Sequence, residues 1–137
     1  MFAESYLQKQ KREQLIPGMP ENDLGISVVI PCYREDAVLQ TLSSLARCEL
    51  PSCNTEVIVL INHSEIASEQ TKSFNRHTKM ELDNWIAENS RKQISFFALG
   101  PIALPKKWAG AGVARKTGMD EAIRRLDNLN NPAGILV

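Results

Sequence analysis

A proline, an aromatic residue and an acid stand together where the first apolar run of the sequence ends. Pro31, Tyr33 and Glu35 follow the run Ile26-Ser27-Val28-Val29-Ile30. Proline fixes φ and stops a strand, a tyrosine ring offers a flat face to a base, and a carboxylate accepts hydrogen bonds from base nitrogens or ribose hydroxyls. These residue types at this spacing suit a nucleotide-binding site. They also suit an ordinary strand end with a packed tyrosine and a solvated glutamate, so both interpretations stay open on composition alone.

A second polar group closes the next apolar run, Val57-Ile58-Val59-Leu60-Ile61, which stops at Asn62-His63-Ser64. Asn62 offers donors and an acceptor without charge, and His63, expected to face a cleft, can titrate near neutral pH. His77 stands in a polar stretch, and we expect it to be exposed. No Ser/His/Asp set and no pair of carboxylates can be assembled into a hydrolase site, so no catalytic residue is assigned.

The third candidate is a basic, glycine-containing segment after the third apolar run. Six basic and two acidic residues lie between positions 101 and 126, and this stretch can face an anion. The segment from Gly110 to Thr117 nearly matches the sequence motif of a phosphate-binding P-loop. However, Arg115 occupies the position of the second glycine, and the segment follows the third strand rather than the first. It also lacks the last glycine of a dinucleotide fingerprint.

Two uses of this segment remain open. Arg115 can reach a phosphate or a base edge, or it can lie in water together with Lys116. Lys106-Lys107-Trp108 can hold a diphosphate or form a solvated loop whose tryptophan enters the core. The small residues of the segment can let a helix approach the sheet closely; they are Ala111, Ala114 and Gly118.

Length and composition indicate one globular domain that positions these groups. The chain has 137 residues, of which 43% are hydrophobic and 23% charged, with sixteen basic and sixteen acidic side chains. Zero net charge argues against a chain that collects nucleic acid or an anionic membrane. No apolar run approaches the roughly 20 residues that span a bilayer, and positions 1–16 are too polar for a signal peptide. We therefore expect no nucleic-acid partner, no membrane-spanning segment and a cytoplasmic location.

The cysteines support the same location. Cys32, Cys48 and Cys53 form an odd and sparse set, unlike the dense even sets of small secreted domains. Free thiols in a reducing cytoplasm are expected. Cys48 and Cys53 would make half a metal site, but no second pair and no suitably spaced histidine completes it. No metal ligand is assigned.

Periodicity places the candidate groups on alternating strands and helices. The apolar runs predict four strands, at Ile26–Ile30, Val57–Ile61, Ile94–Leu99 and Ala133–Val137. Spacings of three and four residues predict three helices: one capped by Asp36, one opened by Thr78 and one over Gly112–Leu126. Such alternation gives an α/β fold, a Rossmann-like parallel sheet with helices on both faces. A helical or loose leader over 1–25 precedes this domain, which covers 26–137.

The predicted fold gathers the polar groups at one edge. In open parallel sheets, ligands bind beyond the carboxyl ends of the strands. That edge would hold the segment from Pro31 to Asp36, the segment from Asn62 to Glu65 and the loop before Gly110.

Three segments of the chain match the motifs of one family. Val28-Val29-Ile30-Pro31-Cys32-Tyr33-Arg34-Glu35 resembles the opening motif of family 2 glycosyltransferases, whose fold is called GT-A. The segment from Glu56 to Ser64 is similar to the second strand of that family. The segment from Gly112 to Gly118 is similar to the Ala-Arg-x-x-Gly stretch that opens its third helix. Together the matches cover Ile26 to Val137 in the family's order and spacing.

The resemblance implies a function and a set of contact residues. Members of the family transfer a sugar from a nucleoside diphosphate sugar to an acceptor, with a divalent cation, Mn or Mg, at the diphosphate. This chain departs from the family at Ile61 and Asn62, where the family has two aspartates, and at His63, where it has glycine. The matched positions imply a nucleotide-binding set consisting of Pro31, Tyr33, Glu35, Asn62 and Arg115.

The resemblance also implies what the chain would lack. The family has an Asp-x-Asp motif after its fourth strand, and the sequence stops at Ile135-Leu136-Val137. We therefore expect the nucleotide half of a truncated GT-A donor site, inactive by itself, with a fourth strand that invites self-association. Two alternatives stay open: a non-catalytic nucleotide-binding or interaction module on the same scaffold, and a nucleotidyltransferase-like enzyme.

Overall fold

A computed structural model describes residues 1–11, 13–89 and 91–137, without the side chain of Trp108. Helices and strands alternate along these ranges. In chain order they are α1 (Glu4–Gln10), β1 (Leu24–Cys32), α2 (Val38–Arg47), β2 (Asn54–Ser64), α3 (Glu69–Glu88), β3 (Ile94–Leu104), a 3₁₀ turn (Lys106–Trp108), α4 (Ala111–Asn128) and β4 (Ile135–Leu136).

The four strands form one sheet in the order β3-β2-β1-β4, and each neighbouring pair is parallel. The predicted α/β, Rossmann-like parallel sheet is therefore confirmed. The central strand β2 is buried from Thr55 to His63. A strand covered on both faces needs apolar side chains at successive positions, which explains the uninterrupted run from Val57 to Ile61.

Helices cover the two faces of the sheet separately. On one face α2 and α3 place Leu42 and Leu82 against Val57, Val59 and Ile61. On the other face α4 packs through Ala114 and Ala122, joined by Ile16 of the leader.

The small residues of α4 set its distance from the sheet. A Cβ added to Gly118 would lie 2.5 Å from Cγ1 of Val29, so only glycine permits this approach. Ala114 is fully buried, whereas Ala111 is exposed at the start of the helix. The close-approach interpretation therefore holds for Gly118 and Ala114 but not for Ala111.

The start of α3 differs from the prediction. Thr78 does not open this helix but lies inside it, with its Oγ1 donating to the carbonyl of Phe74 at 3.1 Å. The helix begins at Glu69, because the side chain of Ser68 accepts from the N–H of Thr71 at 3.2 Å and caps it. The buried face of its first half is polar, so apolar spacing did not reveal it.

Three other boundaries also shift. β3 continues past Leu99 to Leu104, and as an edge strand it tolerates Pro101, which has no N–H to donate. β4 is shorter than predicted: Ile135 and Leu136 pair with β1, and the backbone of Val137 continues the contact with hydrogen bonds to Ser27 and Val29. The helix α2 has no side-chain cap, from Asp36 or from Glu35; Glu35 Oε1 accepts from the N–H of Ala37, the residue before the helix, at 2.9 Å.

The leader lies on α4 and satisfies buried acids of that helix. The N–H of Ala3 donates to Asp127 Oδ1 at 2.8 Å, and the N–H of Ile16 donates to Glu121 Oε1 at 2.9 Å. Burial favours a raised pKa for Glu121, but hydrogen bonds from Arg124 and Ile16 outweigh it and hold the pKa below its ordinary value. The leader is thus part of the packed structure.

A buried ion pair joins the sheet to α4. Arg125 donates through Nε to Glu56 Oε2 at 2.8 Å and through Nη2 to Oε1 at 2.6 Å. Its Nη1 also donates to the carbonyl of Gly18, and its guanidinium lies over the ring of Phe97. The side chains of Arg125 and Glu56 are only 2% and 5% exposed, so water screens this pair little.

We predict that breaking this pair destabilises the chain more than removing it. Glu56→Leu should lower the free energy of unfolding by about 3–5 kcal/mol, because it leaves the guanidinium buried without a counter-charge. The double variant Glu56→Leu/Arg125→Met should be more stable than Glu56→Leu alone. Urea unfolding measures the free energy of unfolding of both variants. A surface ion pair contributes at most about 1 kcal/mol. If Glu56→Leu lowers the stability by no more than that, the pair does not act as a buried one.

Candidate functional site

Tyr33 and Asn62 lie side by side because β1 and β2 are parallel and in register. Cys32 is the partner of Ile61 across the two strands, so the next residue of each chain segment emerges at the same edge. There they border a cavity of about 300 Å³. We call it the strand-end cavity, and its lining residues are Tyr33, Asn62, Ser64, Ala109, Gly110 and Ala111.

The ring of Tyr33 is available to a ligand. Its side chain is exposed although the backbone around it is held in place. The next residue, Arg34, has a φ of 44°, which is unusual for a residue other than glycine. Contacts to α3 hold this turn: the N–H of Arg34 donates to Asn75 and its guanidinium donates to Thr71 Oγ1 at 3.3 Å.

Asn62 presents an acceptor and no donor to the cavity. Its Nδ2 donates to the carbonyl oxygens of Cys32 at 3.2 Å and Leu60 at 3.4 Å, and two acceptors on one side fix the orientation of the amide. No hydrogen bond from a described residue reaches Oδ1, and this oxygen is not one of the buried side-chain atoms that lack a partner. The sequence offered both donors and an acceptor, but the fold leaves only the acceptor for a ligand.

Asn75 connects the two strand ends. Its side chain is fully buried, its Oδ1 accepts from the N–H of Arg34 at 3.2 Å, and its Nδ2 donates to the carbonyl of Asn62 at 2.9 Å. One amide therefore sets the turn after β1 and the end of β2 at a fixed separation. Sequence reasoning missed this residue because it placed the start of α3 after it. Recognising Ser68 as the cap would have placed Asn75 on the helix.

The N-terminus of α4 forms the wall opposite Tyr33 and Asn62. Gly110 precedes the helix with a φ of 153° and supplies no side-chain cap. The N–H groups of the first helical residues have no acceptor within the helix, and the first intrahelical bond runs from Ala114 to Gly110 at 3.1 Å. This wall carries partial positive charge from backbone groups alone.

Arg115 lies one helical turn beyond the cavity wall. It follows Ala111 by four residues, so both share one face of α4. Helical side chains tilt toward the N-terminus, and Arg115 is exposed, so its guanidinium can reach the cavity without lining it. Its neighbour Lys116 is tied to the leader through Gln10 Oε1 at 2.7 Å and to Asp120 Oδ2 at 2.9 Å.

The structure does not bring Pro31 and Glu35 to this cavity. Pro31 is part of β1 and pairs with Leu60, two residues before Tyr33 and the edge of the strand-end cavity. Glu35 accepts from the N–H of Ala37 before α2 and lines a separate cavity of about 230 Å³ between α2 and α3. Of the five predicted contact residues, Tyr33 and Asn62 line the strand-end cavity and Arg115 lies next to it.

The two histidines differ. His63 is buried with its Nδ1 2.9 Å from the carbonyl of Ser64, and it is not among the residues that line the cavity. The expectation that it faces the cleft is therefore wrong, because its position in β2 turns it into the interior. His77 is exposed as predicted, and its Nε2 lies 2.7 Å from Glu81 Oε1.

The cysteines carry no evident chemistry. All three are free, and burial raises the pKa of the Cys32 thiol to about 11, which keeps it protonated. The ranges that the structure describes contain no group of three His, Cys, Asp or Glu side chains that could hold a metal ion. Within the same ranges, no helix is long and apolar enough to cross a membrane.

Comparisons of the chain with protein-family models, with curated proteins and with solved structures gave no match. The resemblance to family 2 glycosyltransferases thus rests on its own motifs and stays a prediction.

We predict that Asn75 is needed to hold the turn after β1 against the end of β2. Asn75→Leu keeps nearly the same volume and adds no charge, but it removes both the acceptor for the N–H of Arg34 and the donor to the carbonyl of Asn62. The free energy of unfolding should fall by about 1–3 kcal/mol, the cost of an unsatisfied buried polar group. Asn84→Leu is the matched control, since it makes the same change at an exposed position of α3. Equal urea midpoints for the two variants would contradict the bridging role.

Proposed function

We propose that the strand-end cavity binds a nucleotide and that this chain supplies the nucleotide half of a glycosyltransferase donor site, for a nucleoside diphosphate sugar. The observation that carries the proposal is that Tyr33, directly after β1, and Asn62, near the end of β2, line one cavity. A parallel sheet is expected to bind its ligand at this edge. The motif resemblance supports a sugar nucleotide in particular.

Each residue has a chemical role in this proposal. The exposed ring of Tyr33 stacks on the base, and base–aromatic stacking of this kind contributes about 1–3 kcal/mol per base. Oδ1 of Asn62 accepts from a base N–H or a ribose hydroxyl. Arg115 approaches the phosphates or the base edge as a charged donor. Asn75 acts through Arg34 and Asn62 and is a positioning residue.

The resemblance implies a divalent cation at the diphosphate, but no residue of this chain has a role in holding it. The described residues do not fit a metal, because they include no group of three suitable ligand side chains. What this chain can do is bind and orient the nucleotide, which in transfer reactions of this class supplies positioning.

A non-catalytic nucleotide-binding module is the second candidate. The six described residues that line the cavity are all uncharged, and Ile61 and Asn62 stand where the resembled family has aspartates. Binding by stacking and one acceptor needs no carboxylate. The same cavity would then serve recognition rather than transfer.

The two candidates separate in a transfer assay. The protein is incubated with several nucleoside diphosphate sugars and Mn²⁺ or Mg²⁺. Sugar transfer or hydrolysis of the donor supports the transferase. Nucleotide binding without any turnover supports the binding module. If the protein shows neither binding nor turnover, both candidate functions are wrong.

Arg115→Ala should weaken binding of nucleoside diphosphates by about 1.5–3 kcal/mol, the range for a hydrogen bond to a charged group. The urea midpoint should not change, because Arg115 is exposed and no described residue is its hydrogen-bond or ion-pair partner. Calorimetric titration with a panel of nucleoside diphosphates measures the affinities. Arg47→Ala, an equal loss of charge at an exposed site in α2, is the control. Unchanged affinity in Arg115→Ala would remove Arg115 from the site.

A further inference from the structure

We infer that the leader contains a releasable strap, which opens as one unit while the sheet stays folded and which sets the position of the α4 wall of the strand-end cavity. The strap consists of residues 1–11 and 13–16, and it lies along α4. The nucleotide as the ligand of that cavity rests on the proposed function, whereas the strap itself follows from its contacts.

The front of the strap is held to α4 by hydrogen bonds. Within α1, none of the described residues is buried. The hydroxyl of Tyr6 donates to Asp120 Oδ1 at 2.7 Å, and Gln10 Oε1 accepts from Lys116 Nζ at 2.7 Å. A cavity of about 50 Å³ remains between the strap and α4. Segments with few buried apolar contacts open at a lower free energy than the core of a domain.

Release of the strap leaves the charged groups of α4 paired or hydrated. Lys116 keeps its ion pair with Asp120, and Arg124 keeps its ion pair with Glu121. Asp127, whose partner is a backbone N–H of the strap, is left facing water. Rupture inside a protein is costly when it leaves a charge buried without a partner, and none of these groups becomes one. The released state of α4 is therefore accessible.

The end of the strap lies where α4 meets the sheet. Ile16 is 2% exposed and belongs to the cluster through which α4 packs on the sheet. Leu15 packs on the cluster that contains Ala114. The N–H of Ala114 donates to the carbonyl of Gly110, a residue of the cavity wall. Leu15 therefore supports the first turn of α4, and release of the strap withdraws this support.

Gly18 supplies the pivot on which the strap turns. Its φ is 78°, a conformation that glycine adopts without strain, and a Cβ added there would meet no atom within 4 Å. Arg125 Nη1 donates to its carbonyl at 3.2 Å, so the chain stays attached to α4 at this point when the residues before it leave. Pro17 and Pro20 restrict the backbone on either side.

Hydrogen exchange of the ¹⁵N-labelled chain, followed by NMR, tests whether the strap opens as one unit. In the parent chain, the protection factor of the Ile16 amide should be at least about tenfold lower than that of the Val59 amide in β2. Tyr6→Phe/Gln10→Ala removes bonds between α1 and α4 but leaves Ile16 in place. It should lower the protection of Ile16 at least about fivefold, because α1 and Ile16 leave α4 together.

Ser5→Ala/Gln8→Ala is the matched control, since it changes two exposed residues of α1. The Ile16 amide should exchange in this variant as it does in the parent. If Ile16 and Val59 are equally protected in the parent, the strap leaves only when the whole domain unfolds. That result, or an Ile16 amide that does not respond to Tyr6→Phe/Gln10→Ala, overturns the strap.

A second variant releases the strap completely. Ile16→Asp places a charge at a buried position, so the residues before Gly18 should leave α4 while the amides of β2 stay protected. Met19→Asp adds the same charge at an exposed position beside the pivot and is the matched control. The amide resonances of Ala111 and Gly112 should shift in Ile16→Asp but not in Met19→Asp. Loss of protection throughout β2 in Ile16→Asp would make the strap inseparable from the domain and overturn it.

Titration with uridine diphosphate relates the strap to the proposed function. Ile16→Asp should bind this nucleotide at least about tenfold more weakly than Met19→Asp, because the α4 wall is then no longer held in its binding position. Unchanged resonances of Ala111 and Gly112, or equal affinities of the two variants, overturn the control of this wall. If the resonances shift but neither the parent nor Met19→Asp binds uridine diphosphate, the strap is established and the nucleotide-binding function is wrong.

Discussion

The bidentate ion pair between Glu56 and Arg125 fixes where α4 lies, and the strand-end cavity depends on that position. Glu56 belongs to the central strand, and Arg125 is near the end of the helix, where it also holds the carbonyl of Gly18. The helix α4 is about 27 Å long at 1.5 Å per residue. Because it is rigid, the contacts of its last turns also determine the position of its first turn. Gly118 then lets the helix approach Val29 closely. The uncapped N-terminus thereby comes to the carboxyl edge of the sheet.

The other side of the cavity depends on a buried amide. Asn75 receives the N–H of Arg34 and donates to the carbonyl of Asn62, so the turn after β1 and the end of β2 move together. Asn62 in turn donates from Nδ2 to two backbone carbonyls, so only its Oδ1 is left to accept a hydrogen bond from a ligand. A rim built from backbone groups held by buried side chains is preorganised, which reduces the ordering cost of binding. The two anchors act on opposite walls of one cavity.

Sequence patterns predicted the parts of the structure that depend on local apolar spacing. The runs at β1, β2 and β3 gave the parallel sheet, and the strand-end rule placed Tyr33 and Asn62 together. The first half of α3 was missed because Thr71, Asn75 and Thr78 form a polar buried face that apolar spacing does not detect. Glu35 was misplaced because its bond to the N–H of Ala37 depends on the geometry of the turn before α2. The docking of the leader depends on bonds between residues more than a hundred positions apart, such as Ala3 to Asp127. No local pattern signals those.

The central claim is that a nucleotide binds between Tyr33 and the first turn of α4. A crystal structure of the chain grown with uridine diphosphate tests it most directly, because it shows both the location and the orientation of the ligand. We expect the base on the ring of Tyr33, a donor of the nucleoside within hydrogen-bond distance of Asn62 Oδ1, and the phosphates on the side of the cavity where α4 begins, within reach of Arg115. A nucleotide bound elsewhere, for example in the cavity between α2 and α3 that Glu35 lines, would contradict it.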